Sequence, residues 1–331
     1  MLRANHAVRL GLRAASRNPE LAFVKALLDQ MGSLVAALPV LLAGLLVGAL
    51  LQRGGLASLA RAYRAVVAVR WPVAGGVLSA VLLSLVAGLL FWSGALPLLA
   101  ADAEMDRRPP SGNFALLASR GFGRVFLAGL CAWGLSLVFV LACGAALLAS
   151  VPALVSRPVP SLLAGAALVA TVALGGSVLI DLLGRLMLVR AAALGDGASS
   201  AFGKAASLLS ARLGACLAVT LAFLLLELMA ASVAGMLTGV ISSTSFLDAD
   251  AELLALAPRI AVGLAAAAVF AWLEVARMGA LAAIAADAEG LIETRPDPPP
   301  VPTTLARPEP VIEALPAEPV IEALPADDEE E

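Results

Sequence analysis

The sequence predicts an all-α fold: a polytopic membrane helix bundle of six transmembrane helices, with interfacial amphipathic helices and a disordered C-terminal tail. Three observations carry that expectation. Hydrophobic residues make up 61% of the 331 residues and charged residues 14%, with a mean hydropathy of +0.95, whereas soluble domains run at about 45–50% apolar and about 25% charged. Six stretches are apolar over the roughly 20 residues that a helix needs to cross a hydrocarbon core. Beyond Ala286 the composition turns abruptly to Pro, Glu and Ala, a mixture that cannot bury enough apolar surface to fold.

These shifts divide the chain into an N-terminal amphipathic helix and lead-in (1–30), a six-helix transmembrane domain (31–289) and an acidic, Pro-rich tail (290–331). Residues 1–289 carry 20 basic and 14 acidic groups and the tail carries 2 and 11, so the net charge of −3 is a +6 membrane part joined to a −9 tail.

At 100° per residue, Asn5, His6, Arg9, Arg13, Ser16 and Arg17 share one arc and Ala7, Val8, Leu10, Leu12 and Ala14 lie opposite, the pattern of an interfacial helix. The Arg-rich, acid-poor start also suits a mitochondrial transit peptide, whereas a secretory signal is disfavoured because a long apolar span follows without a cleavage site. Asn18-Pro19-Glu20 reads as an N-cap, a first-turn proline and an acid that suits the helix dipole. A second helix is expected to begin there and run into the first span.

The expected spans are Met31–Leu51, Val73–Ala100, Phe122–Ala149, Ser161–Val189, Leu213–Ile241 and Pro258–Ala286. Trp71-Pro72 and Arg157-Pro158-Val159-Pro160 read as breaks before spans two and four. Lys and Arg counts orient the bundle. Arg3, Arg9, Arg13, Arg17, Lys25, Arg107, Arg108, Arg120, Arg124, Arg185, Arg190, Lys204 and Arg212 fall on one side. Arg157, Arg259 and the discordant cluster Arg53, Arg61, Arg64 and Arg70 fall on the other, so both termini are expected in the cytoplasm. Leu56–Arg70 stands as either an interfacial helix or a sign that span one is re-entrant. Ser111–Arg124 and Ser199–Arg212 each pair a capping residue, a Phe (Phe114, Phe202) and a terminal Arg before a span, which suggests either a duplicated helix-plus-span unit or the common form of a positive-inside loop.

Charge within the spans marks the candidate site. An ionisable side chain in a bilayer costs about 2.5–3.5 kcal/mol on insertion scales and needs a partner. Glu227 shares a stripe with Phe223, Ala231 and Gly235; Glu274 and Arg277 are three apart on one face; Asp181 and Arg185 are an i,i+4 pair. An antiparallel hairpin of the last two spans would bring Glu227 and Glu274 to one depth. If spans four, five and six adjoin, three acids and two bases meet, leaving one carboxyl unpaired. Glu227 is the expected one and a candidate proton-binding group, against the simpler reading of a polar clamp that fixes helix register. Small residues spaced for close helix approach are Gly44 and Gly48, then Gly76, Ala80, Ser84 and Gly88, then Ala231, Gly235 and Gly239; they serve internal packing or a homo-oligomer seam.

Much chemistry finds no support. His6 is the sole histidine and Cys131, Cys143 and Cys216 lie in apolar spans without CxxC spacing, which disfavours a catalytic triad, a zinc site and a disulfide framework. No catalytic residues, metal or cofactor are expected. Arg120-Gly-Phe-Gly-Arg lacks the third glycine of a dinucleotide loop, and Asp102, Glu104, Asp106, Arg107 and Arg108 read as a hydrated loop. Basic residues flank membranes without interleaved aromatics, so the expected counter-charge is anionic lipid headgroups and not nucleic acid.

Arg17-Asn18-Pro19, the segment Arg190-Ala-Ala-Ala-Leu-Gly-Asp-Gly and the short amphipathic stretch Ser199–Arg212 resemble the six-span membrane domains found beside bacterial glycerophosphodiester phosphodiesterases. Over residues 1 to about 289 the resemblance implies a non-catalytic membrane domain, and in the bacterial cytoplasmic (inner) membrane. The hydrolase domain that accompanies such domains has no counterpart here, so the resemblance transfers no activity.

The tail repeats Glu-Pro-Val-Ile-Glu-Ala-Leu-Pro-Ala from Glu309 and again from Glu318. Each copy sets an apolar anchor in an acidic context, Val311, Ile312 and Leu315, then Val320, Ile321 and Leu324. Two copies on a flexible linker raise avidity for a partner with two sites. The leading expectation is a non-enzymatic scaffold or assembly factor that recruits a cytoplasmic protein through this tail. The alternative is a transporter or channel subunit using Glu227 and the Glu274/Arg277 pair in an ion or proton pathway.

Overall fold

The computed structural model describes residues 2–52, 56–104, 114–155, 159–244 and 249–292. Among these there are eight helices and no strand: α1 (Ala4–Arg17), α2 (Pro19–Leu51), α3 (Leu56–Glu104), α4 (Phe114–Val155), α5 (Val159–Ala193), α6 (Ala198–Ala211), α7 (Leu213–Thr244) and α8 (Ala249–Ala288). Six of them, α2, α3, α4, α5, α7 and α8, are long and apolar enough to cross a membrane, so the chain is an all-α polytopic bundle as its composition requires. Those of the expected breaks that fall on described residues are only partly kept. α5 starts at Val159 with Pro160 in its first turn, but α3 runs unbroken through Pro72 and Pro97. Leu56–Arg70 is thus the N-terminal part of one 49-residue helix and not a separate interfacial helix, and span one is a single continuous helix, Pro19–Leu51, with no re-entrant break. Arg70 stacks over Trp71, 5.4 Å from the ring centroid, and such pairs suit a membrane–water boundary.

Consecutive spans pack as antiparallel hairpins, α2 on α3, α4 on α5 and α7 on α8. The last helix is the hub: α8 touches α1, α2, α3, α5 and α7, whereas α7 leans on α8 with lighter contact to α1 and α6. The composition of α8 allows this, because Ala276, Ala280, Ala282, Ala283, Ala285 and Ala286 are all buried and let neighbouring backbones come close.

One such neighbour is α1. Its small face, Ala7, Gly11, Ala14 and Ala15, is buried, and a Cβ on Gly11 would stand 2.2 Å from the Ala276 carbonyl oxygen and 2.8 Å from the Ala280 Cβ. The stripe that the sequence offers to a lipid surface is therefore occupied by α8, while Arg9 and Arg13 remain exposed. The amide of Leu2 donates to Asp287 Oδ2 at 3.0 Å, so both ends of the bundle meet on one side. Asn18 does not cap α2 with its side chain as expected. Its Nδ2 donates to the Ala14 carbonyl at 2.9 Å and to Asp102 Oδ2 at 2.5 Å, tying the α1–α2 corner to the end of α3.

The proposed duplication is not kept either. Phe114 opens the continuous helix α4 and packs against Gly94 and Phe91, whereas Ala198–Ala211 is a separate helix, divided from α7 at Arg212, with Phe202 exposed.

Burial is confined to one half. Apart from Ala80, every buried described residue lies toward the end that carries α1 and α6: the N-terminal parts of α2, α4 and α7 and the C-terminal parts of α3, α5 and α8. In the other half, Leu41, Leu45, Val138, Leu148, Leu168, Leu174, Val240 and Leu264 are exposed, the surface that lipid is suited to cover.

Candidate functional site

Where the buried half ends, a layer of charge begins. Asp181 and Arg185 of α5, Glu227 of α7, and Glu274 and Arg277 of α8, the five residues singled out in the sequence, are brought to this level, and α2 adds Lys25 and Asp29. Glu274 is the junction: one carboxylate oxygen faces Lys25 Nζ at 2.7 Å and the other faces Arg185 Nη1 at 3.5 Å. Lys25 also binds Asp29 at 2.5 Å and Arg185 binds Asp181 at 2.7 Å. The result is an alternating chain, Asp29, Lys25, Glu274, Arg185, Asp181, that links α2, α8 and α5. Its two cations are the more deeply buried members, with side chains 8% and 19% exposed against 51% and 49% for the terminal aspartates. Burial of a charge is tolerated when it is paired and hydrogen-bonded in this way.

Glu227 stands apart from that chain, and not as expected. It is not left without a charged partner: its carboxylate faces Arg277 Nη1 at 3.7 Å. The hairpin of the last two spans brings Glu227 to Arg277, three residues from Glu274, but α8 turns Glu274 toward α2 and α5. Spans four and five, α5 and α7, meet α8 from different sides without packing on each other as closely as on α8. The pair is loose, because 3.7 Å exceeds hydrogen-bond length, and the buried Arg277 Nε has no acceptor.

The layer also lies at an end of the lipid-length stretches. Residues 30–52, 158–180 and 228–247 carry no charge, runs of 23, 23 and 20 residues, each about what a hydrocarbon core requires. Glu227 thus terminates such a run; it appears central in Leu213–Ile241 only because α7 begins with turns that pack on protein through Cys216, Val219, Thr220 and Phe223.

A second polar tier lies at the end of the buried half. Arg190 is buried and binds Asp196, at 2.9 Å, and Glu289; Lys204 binds Asp196 at 2.7 Å; Arg212 binds Asp287. Arg124 donates to the Gly195 carbonyl at 2.7 Å. Gly195 has φ +75°, a left-handed conformation that glycine adopts without strain. Burial pushes the Asp196 carboxyl up, but hydrogen bonds from Lys204 and Arg190 and their charge outweigh it and hold it below the ordinary aspartate value. The Arg190–Gly197 segment is therefore a clamped turn between α5 and α6.

The small-residue stripes divide. Gly76 meets Pro39 and Ser84 meets Gly32, with Ala80 buried between them, so this stripe packs α3 on α2. Gly44, Gly48, Gly88, Gly235 and Gly239 have nothing within 4 Å of a Cβ, and Ala231 is exposed; these are not internal packing positions. Spacing alone reports close approach only where a neighbouring helix is present. Gly175-Gly176-Ser177 does read as a helix-packing run, and a Cβ on Gly176 would stand 2.4 Å from the Phe139 ring; the approaches missed in the sequence include Gly94, 2.7 Å from the Phe114 ring, and Gly129, 2.4 Å from Leu89.

Lys25 and Asp29 were also missed as site residues. Their signal was the apolar stripe Leu21, Ala22, Ala26 on which Lys25 sits, with a carboxylate four residues on. Among the described residues no group of three or more His, Cys, Asp or Glu side chains is arranged to hold a metal. The tail anchors Val311, Ile312, Leu315, Val320, Ile321 and Leu324 lie outside the described residues, as do Arg53, Arg107, Arg108 and Arg157.

No family model, curated protein or solved structure matches the chain.

Proposed function

We propose that the chain is a non-enzymatic multi-pass scaffold of the inner membrane, with both termini cytoplasmic, whose charge layer locks its spans and whose acidic tail recruits a cytoplasmic partner. The observation that carries this reading is Glu274 held from two sides, by Lys25 of the first span and Arg185 of the fourth. An alternating ion-pair chain of that kind fixes the register of three helices. Outward of it, helices α2, α5 and α7 continue without interruption through runs that carry no charge, which offer an ion or proton no relay and no broken-helix site. The end bearing α1 and α6 exposes Arg9, Arg13, Arg120, Arg124 and Lys204, as a cytoplasmic face does, and anionic headgroups are a natural counter-charge for Arg9 and Arg120.

The transporter reading draws on a different observation, the loose pairing of Glu227 with Arg277. One experiment separates the two. Full-length protein in vesicles loaded with a pH-sensitive dye is expected to pass protons and potassium no faster than protein-free vesicles; a flux abolished by Glu227→Gln would overturn the scaffold. The tail is tested by crosslinking in native membranes, where a partner captured by the wild type is expected to be lost when Ile312 and Ile321 are both changed to Ser. Equal capture would remove the tail from the proposal.

A further inference from the structure

An apolar groove of about 390 Å³ runs between α7 and α8, lined by Ala230, Val233 and Leu237 on one side and Ala265, Ala266 and Val269 on the other. Its size falls within the range of ligand pockets, about 300–1,000 Å³. The same two helices carry the loose pair. Ala230 lies three residues beyond Glu227, and Val269 eight residues before Arg277, so the groove opens about 5 Å along α7 and about 12 Å along α8 outward of the pair.

We propose that this groove holds one acyl chain of a phospholipid whose phosphate displaces Glu227 from Arg277. A guanidinium presents five N–H donors; that of Arg277 is 7% exposed, has no acceptor at Nε and faces a carboxylate only at 3.7 Å. Such a group left without hydrogen bonds is costly when buried, and a phosphate meets it in a two-pronged geometry that one distant carboxylate does not. Competition is limited. Asp181 and Glu274 also lie within electrostatic range of Arg277, as does the cation of Arg185, but both carboxylates are engaged by Arg185 and Lys25. Glu227 is thus the exchangeable ligand.

The orientation is that of a lipid in its own leaflet. The pair sits at the end of the uncharged run 228–247, where headgroups belong, and the groove leads from it into the lipid-length part of the bundle. The site needs neither the tail nor the scaffold reading.

Native mass spectrometry of the full-length protein tests it, with phosphatidylglycerol, phosphatidylethanolamine, oleate and inorganic phosphate added separately. Phospholipid is expected to bind the wild type. Arg277→Gln is expected to cut its occupancy by about tenfold, the size of one set of charge-assisted hydrogen bonds. Ala266→Phe, which fills the groove and leaves the charges intact, is expected to cut it comparably. Glu227→Gln removes the competitor and is expected to retain or raise it, which a merely structural ion pair would not do. Binding unchanged by Ala266→Phe, or lost in Glu227→Gln, would overturn the proposal. Equal binding of inorganic phosphate would discard the acyl chain, and preference for oleate would discard the phosphate. Should Arg277→Gln fail to fold, the other two variants still decide.

Discussion

Lys25 and Glu274, near opposite ends of the folded chain, lie 2.7 Å apart, and their contact joins the first span to the last. Lys25 is the more deeply buried of the two, and Asp29 shares its ammonium. Lys25→Met therefore leaves two carboxylates without that cation. The expected destabilisation is about 2 kcal/mol, below the roughly 3–5 kcal/mol for breaking a fully buried pair, because Asp29 and Glu274 keep some exposure. Adding Glu274→Gln is expected to recover part of the loss, so that thermal unfolding of the purified protein shows the double variant less damaged than the sum of the singles. Strict additivity would mean that the contact contributes nothing.

The seat of α1 on α8 predicts an unequal response to one chemical change. At Gly11 a methyl group would meet the Ala276 carbonyl at 2.2 Å, and backbone is slow to yield; at Gly44 it would meet nothing within 4 Å. Gly11→Ala is expected to cost about 1–3 kcal/mol, as overpacking does. Gly44→Ala is expected to be neutral or to stabilise by up to about 1 kcal/mol through helix propensity. Hydrogen exchange adds a local readout, since loosening of α1 exposes the amides of Ala7 to Ala15 in the first variant alone.

The clamped turn between α5 and α6 makes stability depend on pH. Asp196 is held below its ordinary value by Lys204 and Arg190, so it binds a proton less readily folded than unfolded. Its contribution is complete above the unfolded value, about 3.9, and fades as pH falls through the lower folded value. The stability gap between wild type and Asp196→Asn is expected to be constant from pH 7 to about 5 and to narrow below about 4. A gap that widens on acidification would place the carboxyl in a different setting.

How far the sequence could be read follows from which forces leave a local trace. Span number is legible because each membrane crossing must satisfy its own backbone within one long apolar helix, and α1 and its Arg face are legible from period alone. Helix ends are less so: Pro72 and Pro97 sit inside α3, and transmembrane helices tolerate proline more readily than soluble ones do. The pairing of Glu227 with Arg277, and not with nothing, depends on the rotation of α8, which hydropathy does not encode. Lys25 reads as a loop charge in the Lys and Arg count, although the helix expected from Asn18-Pro19, and present from Pro19, already carries it into the bundle. Gly235 and Gly239 show the converse, a packing pattern without a neighbour.

If the charge layer marks the edge of the hydrocarbon, depth along α5 has a definite course. Asp181 and Val172 are nine residues apart on one helix, about 13 Å along its axis, and Val172 is exposed to the surrounding medium. Spin labels placed singly by Asp181→Cys and Val172→Cys, in a background with Cys131, Cys143 and Cys216 replaced, report depth through their relative access to oxygen and to a water-soluble nickel complex. The label at 172 is expected to favour oxygen strongly, as in the bilayer interior, and the label at 181 to give the near-equal access of the headgroup boundary. Equal depth at the two positions, or a deeper label at 181, would return the charges to mid-membrane. It would also remove the reason for a phosphate to meet Arg277, since a headgroup at that depth would lie beyond the reach of its own leaflet.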